Sequence, residues 1–202
     1  MARQPKLKQT RSTVALVGDG KTERIYFANV RDTDRPANLA IFPDYPRKIG
    51  SYKGVLDRSI SLKKEGYDRV YALIDMDKII DENKTAEYRE AKEAAENIGV
   101  IVLENNPCFE IWILLHFNRT GRLFGNCNQV VVEIQKNDQL SNYCKVERYL
   151  AAAKLYEKYK DELLERAIPN AKHLEHRRED YSERYPRAET FKFFEWYFDK
   201  NI

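Results

Sequence analysis

Four segments of the chain have the hydrophobic pattern of buried strands. They read TVALV (13–17), ANLAIFPD (37–44), DRVYALIDMD (68–77) and VIVLENN (100–106). The first is a β-branched apolar run, and the others are nearly continuous in apolar residues. Strands that are apolar on both faces are typical of a parallel sheet that is covered on both sides.

Amphipathic segments separate these runs and predict helices. TERIYFANVRD follows a Gly-rich turn, and Thr22 is predicted to cap it. GVLDRSISLKKEG is predicted to end at Gly66 and TAEYREAKEAAENIG at Gly99, because glycine favours the position just after a helix. The alternation predicts an α/β fold with about four mainly parallel strands.

The pattern becomes helical after residue 106. PCFEIWILLHF is predicted to be a buried helix with Asn106 as its cap and Pro107 at its first position. For CNQVVVEIQK, a helix is favoured over an edge strand. The remaining segments predict a long amphipathic helix, a short basic stretch and an aromatic terminal helix: VERYLAAAKLYEKYKDELLERA, NAKHLEHRRED and AETFKFFEWYF. We therefore expect an α/β core at 12–118 and a helical extension packed on it at 119–202.

Composition and charge narrow the class of protein. Hydrophobic residues make up 43% of the 202 residues and charged residues 33%, which fits an ordered globular chain. The net charge of +3 and the pI of about 8.6 permit a nucleic-acid partner without demanding one. The longest apolar segment, FEIWILLHF, is too short for a bilayer. We expect a cytoplasmic protein that makes no membrane contact.

The three cysteines show no spacing that is typical of a metal site. They are Cys108, Cys127 and Cys144. An odd number of cysteines without a signal peptide predicts reduced thiols.

Two aspartates follow the third predicted strand, where an apolar run ends. Asp75 and Asp77 are two residues apart, so their side chains point to the same side of a strand. Two carboxylates this close repel each other unless a cation lies between them. In an open α/β sheet, ligands bind outside the carboxyl ends of the strands. A Mg²⁺ or Mn²⁺ site is one interpretation, and a helix cap or turn former is the other.

The first predicted strand ends in a similar way. Gly18 and Gly20 allow a tight turn and a close backbone approach, Asp19 lies between them, and Glu23 lies in the first turn of the next helix. If the first and third strands are neighbours, Asp19 converges with Asp75 and Asp77. The combination favours a metal site, in which Glu23 joins or binds a second ion.

Glu110 lies among apolar residues, where a carboxylate is rarely left unpaired. It either pairs with the helix dipole or an arginine, or it reaches the metal site as a ligand or a water-orienting base. His116 is more typical of a satisfied core or rim residue than of a functional one.

The helical half contains a basic segment and an aromatic stripe. Lys172, His173, His176, Arg177 and Arg178 form either a solvated face or a patch that contacts nucleic-acid phosphates. The stripe is expected to be core or a homodimer contact rather than a surface for base stacking: Phe191, Phe194, Trp196 and Phe198.

Three of these segments resemble the motifs of a known family. VGDGKTERIYF, VYALIDMD and NNPCFEIWILLHF are similar to three motifs of RloB-type proteins, which are linked to abortive-infection and restriction loci. The resemblance covers about residues 13–118 and is weaker beyond; its third motif is the most specific. RloB-type proteins belong to the TOPRIM superfamily. The resemblance therefore implies a compact Rossmann-like α/β core and metal-dependent phosphodiester chemistry, as in topoisomerases, primases and OLD nucleases.

The resemblance also implies roles for the acidic residues. Asp75 and Asp77 match the family's Asp-x-Asp, which implies magnesium binding, and Glu23 matches the glutamate of its Gly-x-Thr-Glu continuation. Asp19 stands where the family usually has glutamate. Its shorter side chain either reaches a metal through water or a slight backbone movement, or it marks weakened activity. Glu110 belongs to the third motif, together with Asn106 and His116.

A metal-dependent nuclease for RNA, such as tRNA, or DNA is the leading hypothesis. In it, Asp19 or Glu110 orients or deprotonates water, and Lys21 contacts a phosphate oxygen unless it is an ordinary solvated lysine. The family's genomic context implies an ABC-type ATPase as a partner. The alternative is a non-catalytic TOPRIM-like module that binds nucleic acid or such an ATPase. A small-molecule phosphohydrolase is disfavoured, because its Asp-x-Asp usually follows the first strand.

Overall fold

The computed structural model describes residues 11–45, 51–177 and 183–201. Arg178 of the predicted basic patch lies outside the described residues. None of the helices in the described ranges has the length and apolar character to cross a membrane.

A five-stranded, mostly parallel sheet forms the centre of the protein. Its strands are β1 (Ser12–Val17), β2 (Leu39–Asp44), β3 (Arg69–Asp75), β4 (Val100–Asn106) and β5 (Arg187–Ala188), in the order β2-β1-β3-β4-β5. The first four strands are parallel, as predicted. The fifth is a difference from the prediction: β5 comes from the C-terminal half and pairs antiparallel with β4, so this half is not purely helical.

Helices lie on both faces of the sheet. Those of the N-terminal half are α1 (Lys21–Asp34), α2 (Tyr52–Lys64), α3 (Asp77–Asp81), α4 (Thr85–Asn97) and α5 (Glu110–Leu114). Those of the C-terminal half are α6 (Cys127–Ile134), α7 (Glu147–Ala153), α8 (Leu155–Lys158), α9 (Lys160–Glu162), α10 (Ile168–His176) and α11 (Thr190–Asn201). A 3₁₀ turn (Asp138–Leu140) precedes α7, and a π-helical turn (Leu163–Ala167) joins α9 to α10.

Side chains of β3 alternate between two hydrophobic layers. Val70, Ala72 and Ile74 pack with α2, α3 and α4 on one face. Tyr71 and Leu73 belong to the larger layer on the other face, which contains α1, α5 and the C-terminal helices. A sheet covered on both faces is thereby confirmed, and the C-terminal half contributes to the larger layer.

The terminal helix α11 supplies the aromatic centre of that layer. The Phe194 ring stacks on the Trp112 ring of α5 with centroids 5.4 Å apart, and on the Tyr156 ring of α8 at 5.9 Å. Phe191 and Phe193 are also buried. The aromatic stripe therefore belongs mainly to the core, as expected.

Two predicted helix ends agree with the structure, and two predicted caps do not. Gly66 and Gly99 follow α2 and α4 with φ values of 97° and 91°, which glycine adopts without steric cost. The helix α1 begins at Lys21 with Gly20 as its cap, so the prediction that Thr22 caps it is wrong. Instead, Thr22 is buried within the first turn, and its hydroxyl faces the interior.

Asn106 does not cap the helix that follows it. The bond to Pro107 is cis, and α5 begins only at Glu110. The Asn106 amide donates to the carbonyl oxygens of Tyr185, at 2.8 Å, and Glu183, at 3.1 Å. It therefore ties the end of β4 to the segment before β5.

The predicted long helix after residue 145 is broken into several pieces. Lys154 adopts a left-handed conformation with φ 44° and separates α7 from α8. Contacts with α1 hold the second piece: the Glu157 amide donates to Asn29 Oδ1 at 3.1 Å, and the Tyr156 hydroxyl donates to Asp34 at 2.6 Å. Tertiary anchors thus outweigh the continuous helical pattern of the sequence.

Two of the three cysteines are joined, which corrects the prediction of reduced thiols. Cys108 and Cys127 form a disulfide with their Cα atoms 5.6 Å apart, and Cys144 is free. The bond links the segment before α5 to the first residue of α6.

Candidate metal centre

The acidic residues predicted from the sequence lie at one edge of the sheet. Because β1 and β3 are adjacent and parallel, their carboxyl ends point the same way. Asp19 follows β1, and Asp75 is the last residue of β3. This is the edge at which open α/β sheets bind ligands.

Three carboxylates converge there and form what we call the acidic cluster: Asp19, Glu23 and Asp75. One oxygen from each lies within 4.8 Å of the other two. Carboxylate oxygens are the ligands that Mg²⁺ and Mn²⁺ prefer. The donor set of the acidic cluster therefore fits a hard divalent cation.

The two glycines of the first turn make room for Glu23. A Cβ atom on Gly20 would lie 2.6 Å from Glu23 Oε2, and one on Gly18 would lie 3.0 Å from Glu23 Cβ. Glycine is needed at these positions for close approach, since neither has a positive φ. The Glu23 side chain therefore packs directly against the backbone of Gly18 and Gly20.

The segment after β4 holds Asp75 in place. The amide of Phe109 donates to Asp75 Oδ1 at 2.8 Å. The Pro107 carbonyl accepts from the amides of Met76 and Asp77, both at 3.0 Å. The NPCF portion of the third motif therefore serves to position the end of β3.

Asp77 lies beside the acidic cluster rather than in the group of three. It is the first residue of α3, and its Oδ1 accepts from the Lys78 amide at 2.7 Å. It lines the same cavity as Asp19 and Asp75. The structure thus groups Glu23, rather than Asp77, with Asp19 and Asp75, and it leaves Asp77 at the cavity wall. Metal binding by Asp77 stays a prediction.

Burial and mutual repulsion disfavour negative charge in the acidic cluster. Burial, followed by the charges of Asp19 and Glu110, raises the pKa of Glu23 from 4.5 to about 8. Burial also raises the pKa of Asp75 well above its ordinary value, and Glu23 and Asp19 raise it further. The pKa of Asp19 is raised by burial, against the lowering effect of Lys78 and Lys145. A bound cation is what would favour the ionised forms of all three.

Glu110 is fully buried next to the acidic cluster and is paired by several donors. Its Oε1 accepts from Thr22 Oγ1 at 3.0 Å and from the Tyr143 hydroxyl at 3.4 Å, and it forms an ion pair with Lys145 Nζ at 3.0 Å. Glu110 is therefore paired, with a lysine rather than with the helix dipole or an arginine, and it adjoins the acidic cluster. Its role as a metal ligand or water-orienting base stays a prediction.

The disulfide lies against the same carboxylate. Cys127 Sγ is 3.0 Å from Glu110 Oε2. A disulfide sulfur carries no proton, so this contact is not a hydrogen bond. Cys108, Glu110 and Cys127 are close enough together for a metal site, but sulfurs bonded to each other are not thiolate ligands.

Lys145 and Tyr143 are the site residues that the sequence did not reveal. They lie in an irregular segment between the 3₁₀ turn and α7. Burial would lower the pKa of Lys145, but the carboxylates of Glu110 and Asp75 outweigh it and raise that pKa. No sequence pattern marks Lys145, because its closeness to the acidic residues at the sheet edge arises only when the chain folds.

A cavity of about 530 Å³ opens over the acidic cluster. Acidic and basic side chains share its wall with Ser51, Tyr52 and Cys127; the charged ones are Asp19, Asp75, Asp77, Lys78, Glu82, Lys84 and Lys145. Mixed charges around partly buried carboxylates suit an anionic ligand that arrives together with a cation.

Two predicted residues point away from this cavity. Lys21 is half exposed and forms an ion pair with Glu147 at 2.9 Å, outside the residues that line the cavity. His116 is buried, its Nδ1 lies 2.9 Å from the Trp112 carbonyl oxygen, and burial lowers its pKa to about 4. The structure thus favours the solvated interpretation of Lys21 and the core interpretation of His116.

The described part of the basic patch lies on α10 and at the residue that follows it. Lys172 forms an ion pair with Glu195, and both ring nitrogens of His173 lie within 3 Å of Arg119. The residues that line the acidic cavity include none of Lys172, His173, His176 and Arg177. Binding of nucleic acid by this patch stays a prediction.

A family model supplies the context for this arrangement. The model described as RloB-like protein matches residues 14–194. The chain belongs to the RloB-like family. The matched region of this RloB-like protein runs from β1 into α11, so it includes the acidic cluster, Glu110 and Lys145. No curated protein and no solved structure matches the chain.

Proposed function

We propose that this RloB-like protein is a metal-dependent nuclease with a TOPRIM-type site, which hydrolyses phosphodiester bonds of RNA or DNA. The observation that supports the proposal is the convergence of Asp19, Glu23 and Asp75 at the carboxyl edge of a parallel sheet. Glu23 is buried and Asp19 and Asp75 are partly buried, and holding three carboxylates together there is costly unless a cation compensates them. A purely structural role would not require this arrangement.

The acidic cluster would hold Mg²⁺ or Mn²⁺ through Glu23 and Asp75, with Asp19 completing the set. The ion supplies charge that polarises the scissile phosphate. Asp19 borders the cavity, which would place it to accept the proton of the attacking water. Asp77, at the cavity wall, orients that water.

Glu110 has a different role in this proposal from the two that the sequence suggested. Its Oε1 is already engaged by Thr22, Tyr143 and Lys145, and its side chain is 0% exposed. Such a carboxylate is poorly placed to receive a proton from substrate water. It is a positioning residue that holds Lys145 at the cavity wall.

The direct test is cleavage by the purified protein. Wild type is incubated with tRNA, plasmid and single-stranded DNA in Mg²⁺, Mn²⁺ or EDTA, beside Asp75→Asn and Glu23→Gln. Asp57→Asn is the matched control, because Asp57 is exposed on α2 outside the acidic cavity. We expect metal-dependent cleavage that falls roughly 100-fold or more in the two acidic-cluster variants and is unchanged in the control. Equal trace cleavage by wild type and Asp75→Asn would instead favour a non-catalytic binding module.

We also propose that the nuclease acts in anti-phage defence, together with an ABC-type ATPase. Membership in the RloB-like family supports this setting. The test is the plating efficiency of phages on cells that carry the protein and its partner gene. Protection by wild type and its loss in Asp75→Asn are expected, and equal protection by both would contradict a nuclease role in defence.

A further inference from the structure

Lys145 presents a cation at the wall of the acidic cavity. Its Nζ lies 3.0 Å from Glu110 Oε1, and 46% of its side chain is exposed. An ammonium group has three N–H donors. The ion pair with Glu110 uses one of them, and Cys127 Sγ, 3.5 Å from Nζ, takes at most a second. The exposed part of Lys145 lines the cavity together with Asp19 and Asp75. A donor therefore remains for a ligand in that cavity.

The position of this ammonium group is restrained by its buried partner. Glu110 cannot move easily, since Thr22 and Tyr143 also donate to its Oε1. A lysine that is held by a fixed carboxylate retains less side-chain freedom than an ordinary surface lysine. Less entropy is then lost when it binds a ligand.

The charge around the cavity indicates what the lysine could bind. Six carboxyl groups lie in or beside it, which are Asp19, Glu23, Asp75, Asp77, Glu82 and Glu110, and three lysines line it, Lys78, Lys84 and Lys145. A phosphodiester is an anion and would be repelled by the carboxylates alone. Positive charge at the cavity wall, such as that of Lys145, offsets this repulsion.

We propose that Lys145 is a catalytic residue that donates a hydrogen bond to a phosphate oxygen of the substrate. The inference rests on the proposed nuclease function, and it assigns to Lys145 the phosphate contact expected from the sequence for Lys21. Lys145 stabilises the negative charge that the phosphoryl oxygens carry when water attacks. Its location, beside the acidic cluster and held by Glu110, distinguishes it from the solvated Lys21.

The rival explanation is that Lys145 only neutralises Glu110. Two variants separate the alternatives. Lys145→Gln removes the charge but keeps a side-chain donor for Glu110, and Lys145→Met removes both. The control is Lys136→Met, because Lys136 is exposed in the same half of the chain and pairs with Glu133 outside the cavity.

Binding is measured first, in Ca²⁺ instead of Mg²⁺, from the fluorescence anisotropy of labelled single-stranded RNA and DNA oligonucleotides. We expect both Lys145 variants to bind about tenfold or more weakly than wild type, because a charge-assisted contact is lost. The slope of log affinity against log salt should fall in magnitude by about 0.7, which corresponds to one phosphate contact. Lys136→Met should match wild type. A merely structural role would change thermal stability and leave the salt slope unchanged.

Cleavage kinetics then follow for the best substrate in Mg²⁺. We expect kcat to fall at least about 100-fold in Lys145→Gln, with partial recovery in Lys145→Arg. If wild type cleaves and both neutral variants bind and cleave equally well, the inference is overturned and the nuclease function stands. If wild type cleaves nothing, the nuclease function fails. The anisotropy titrations then still show whether Lys145 contacts a phosphate. Absence of oligonucleotide binding by wild type would overturn the inference as well.

Discussion

Replacing Glu23 with glutamine tests the electrostatics of the acidic cluster without any substrate. Glu23 is 3% exposed, and it lies beside Asp19 and Asp75. Burial and the charges of Asp19 and Glu110 raise its pKa to about 8. In the metal-free protein, the Glu23 side chain is therefore protonated at neutral pH.

The sign of the effect on stability follows from proton binding. In the unfolded chain, Glu23 loses its proton near pH 4.5, whereas in the folded protein it keeps the proton up to about pH 8. Between these values the folded state binds more protons, so the free energy of unfolding decreases as the pH rises. At about 1.36 kcal/mol for each pH unit, the loss from Glu23 is on the order of 4 kcal/mol across this range.

The assay is urea denaturation in EDTA at several pH values between 5 and 8. We expect wild type to lose stability steadily as the pH rises, and Glu23→Gln to lose less, because glutamine does not titrate; Asp19 and Asp75, whose pKa values are also raised, still contribute in the variant. Glu93→Gln is the matched control, since Glu93 is exposed on α4, and it should follow wild type. Identical pH dependence in wild type and Glu23→Gln would refute the assignment of a protonated, buried Glu23.

Two further predictions concern the turn and the disulfide. Gly20→Ala places a Cβ atom 2.6 Å from Glu23 Oε2, so we expect Mn²⁺ affinity to fall roughly tenfold. Gly125→Ala, whose Cβ atom meets nothing closer than 3.5 Å, should leave the affinity unchanged, and equal affinities in both variants would contradict the role of the turn. Cys127→Ser should lower the free energy of unfolding by about 3 kcal/mol, as expected for a bond that spans 19 residues. Dithiothreitol should destabilise wild type but not this variant; a wild type that is insensitive to the reductant would argue against the disulfide.

Much of the fold could be predicted because its signals are local. Continuous apolar runs identify the four parallel strands, and Gly66 and Gly99 end the helices that follow β2 and β3. The grouping of Asp19 with Asp75 was also accessible, because neighbouring parallel strands end at the same edge. These inferences need only strand periodicity and the adjacency of two strands.

What was missed depends on contacts between distant parts of the chain. The break at Lys154 interrupts a helical pattern that has no local stop, and the anchors on Asn29 and Asp34 lie more than a hundred residues away. The strand β5 has two residues, too few to show a period. No local pattern marks elements of this kind.

The same limit applies to the site. Lys145 lies in an irregular segment 35 residues from Glu110, and their pairing follows only from the packing of the C-terminal half on α5. Cys108 and Cys127 are brought together in the same way. The acidic part of the site was therefore predictable from the strand ends, whereas its basic partner was not.

Binding of Mn²⁺ tests the central claim most directly. Free Mn²⁺ gives an electron paramagnetic resonance signal that weakens on binding, so titrating wild type, Asp75→Asn, Glu23→Gln and the control Asp57→Asn measures their affinities without any substrate. The account predicts that wild type and Asp57→Asn bind Mn²⁺, and that both acidic-cluster variants bind it at least about tenfold more weakly. A wild type that binds no Mn²⁺, or variants that all bind it equally, would contradict the assignment of a metal centre to Asp19, Glu23 and Asp75.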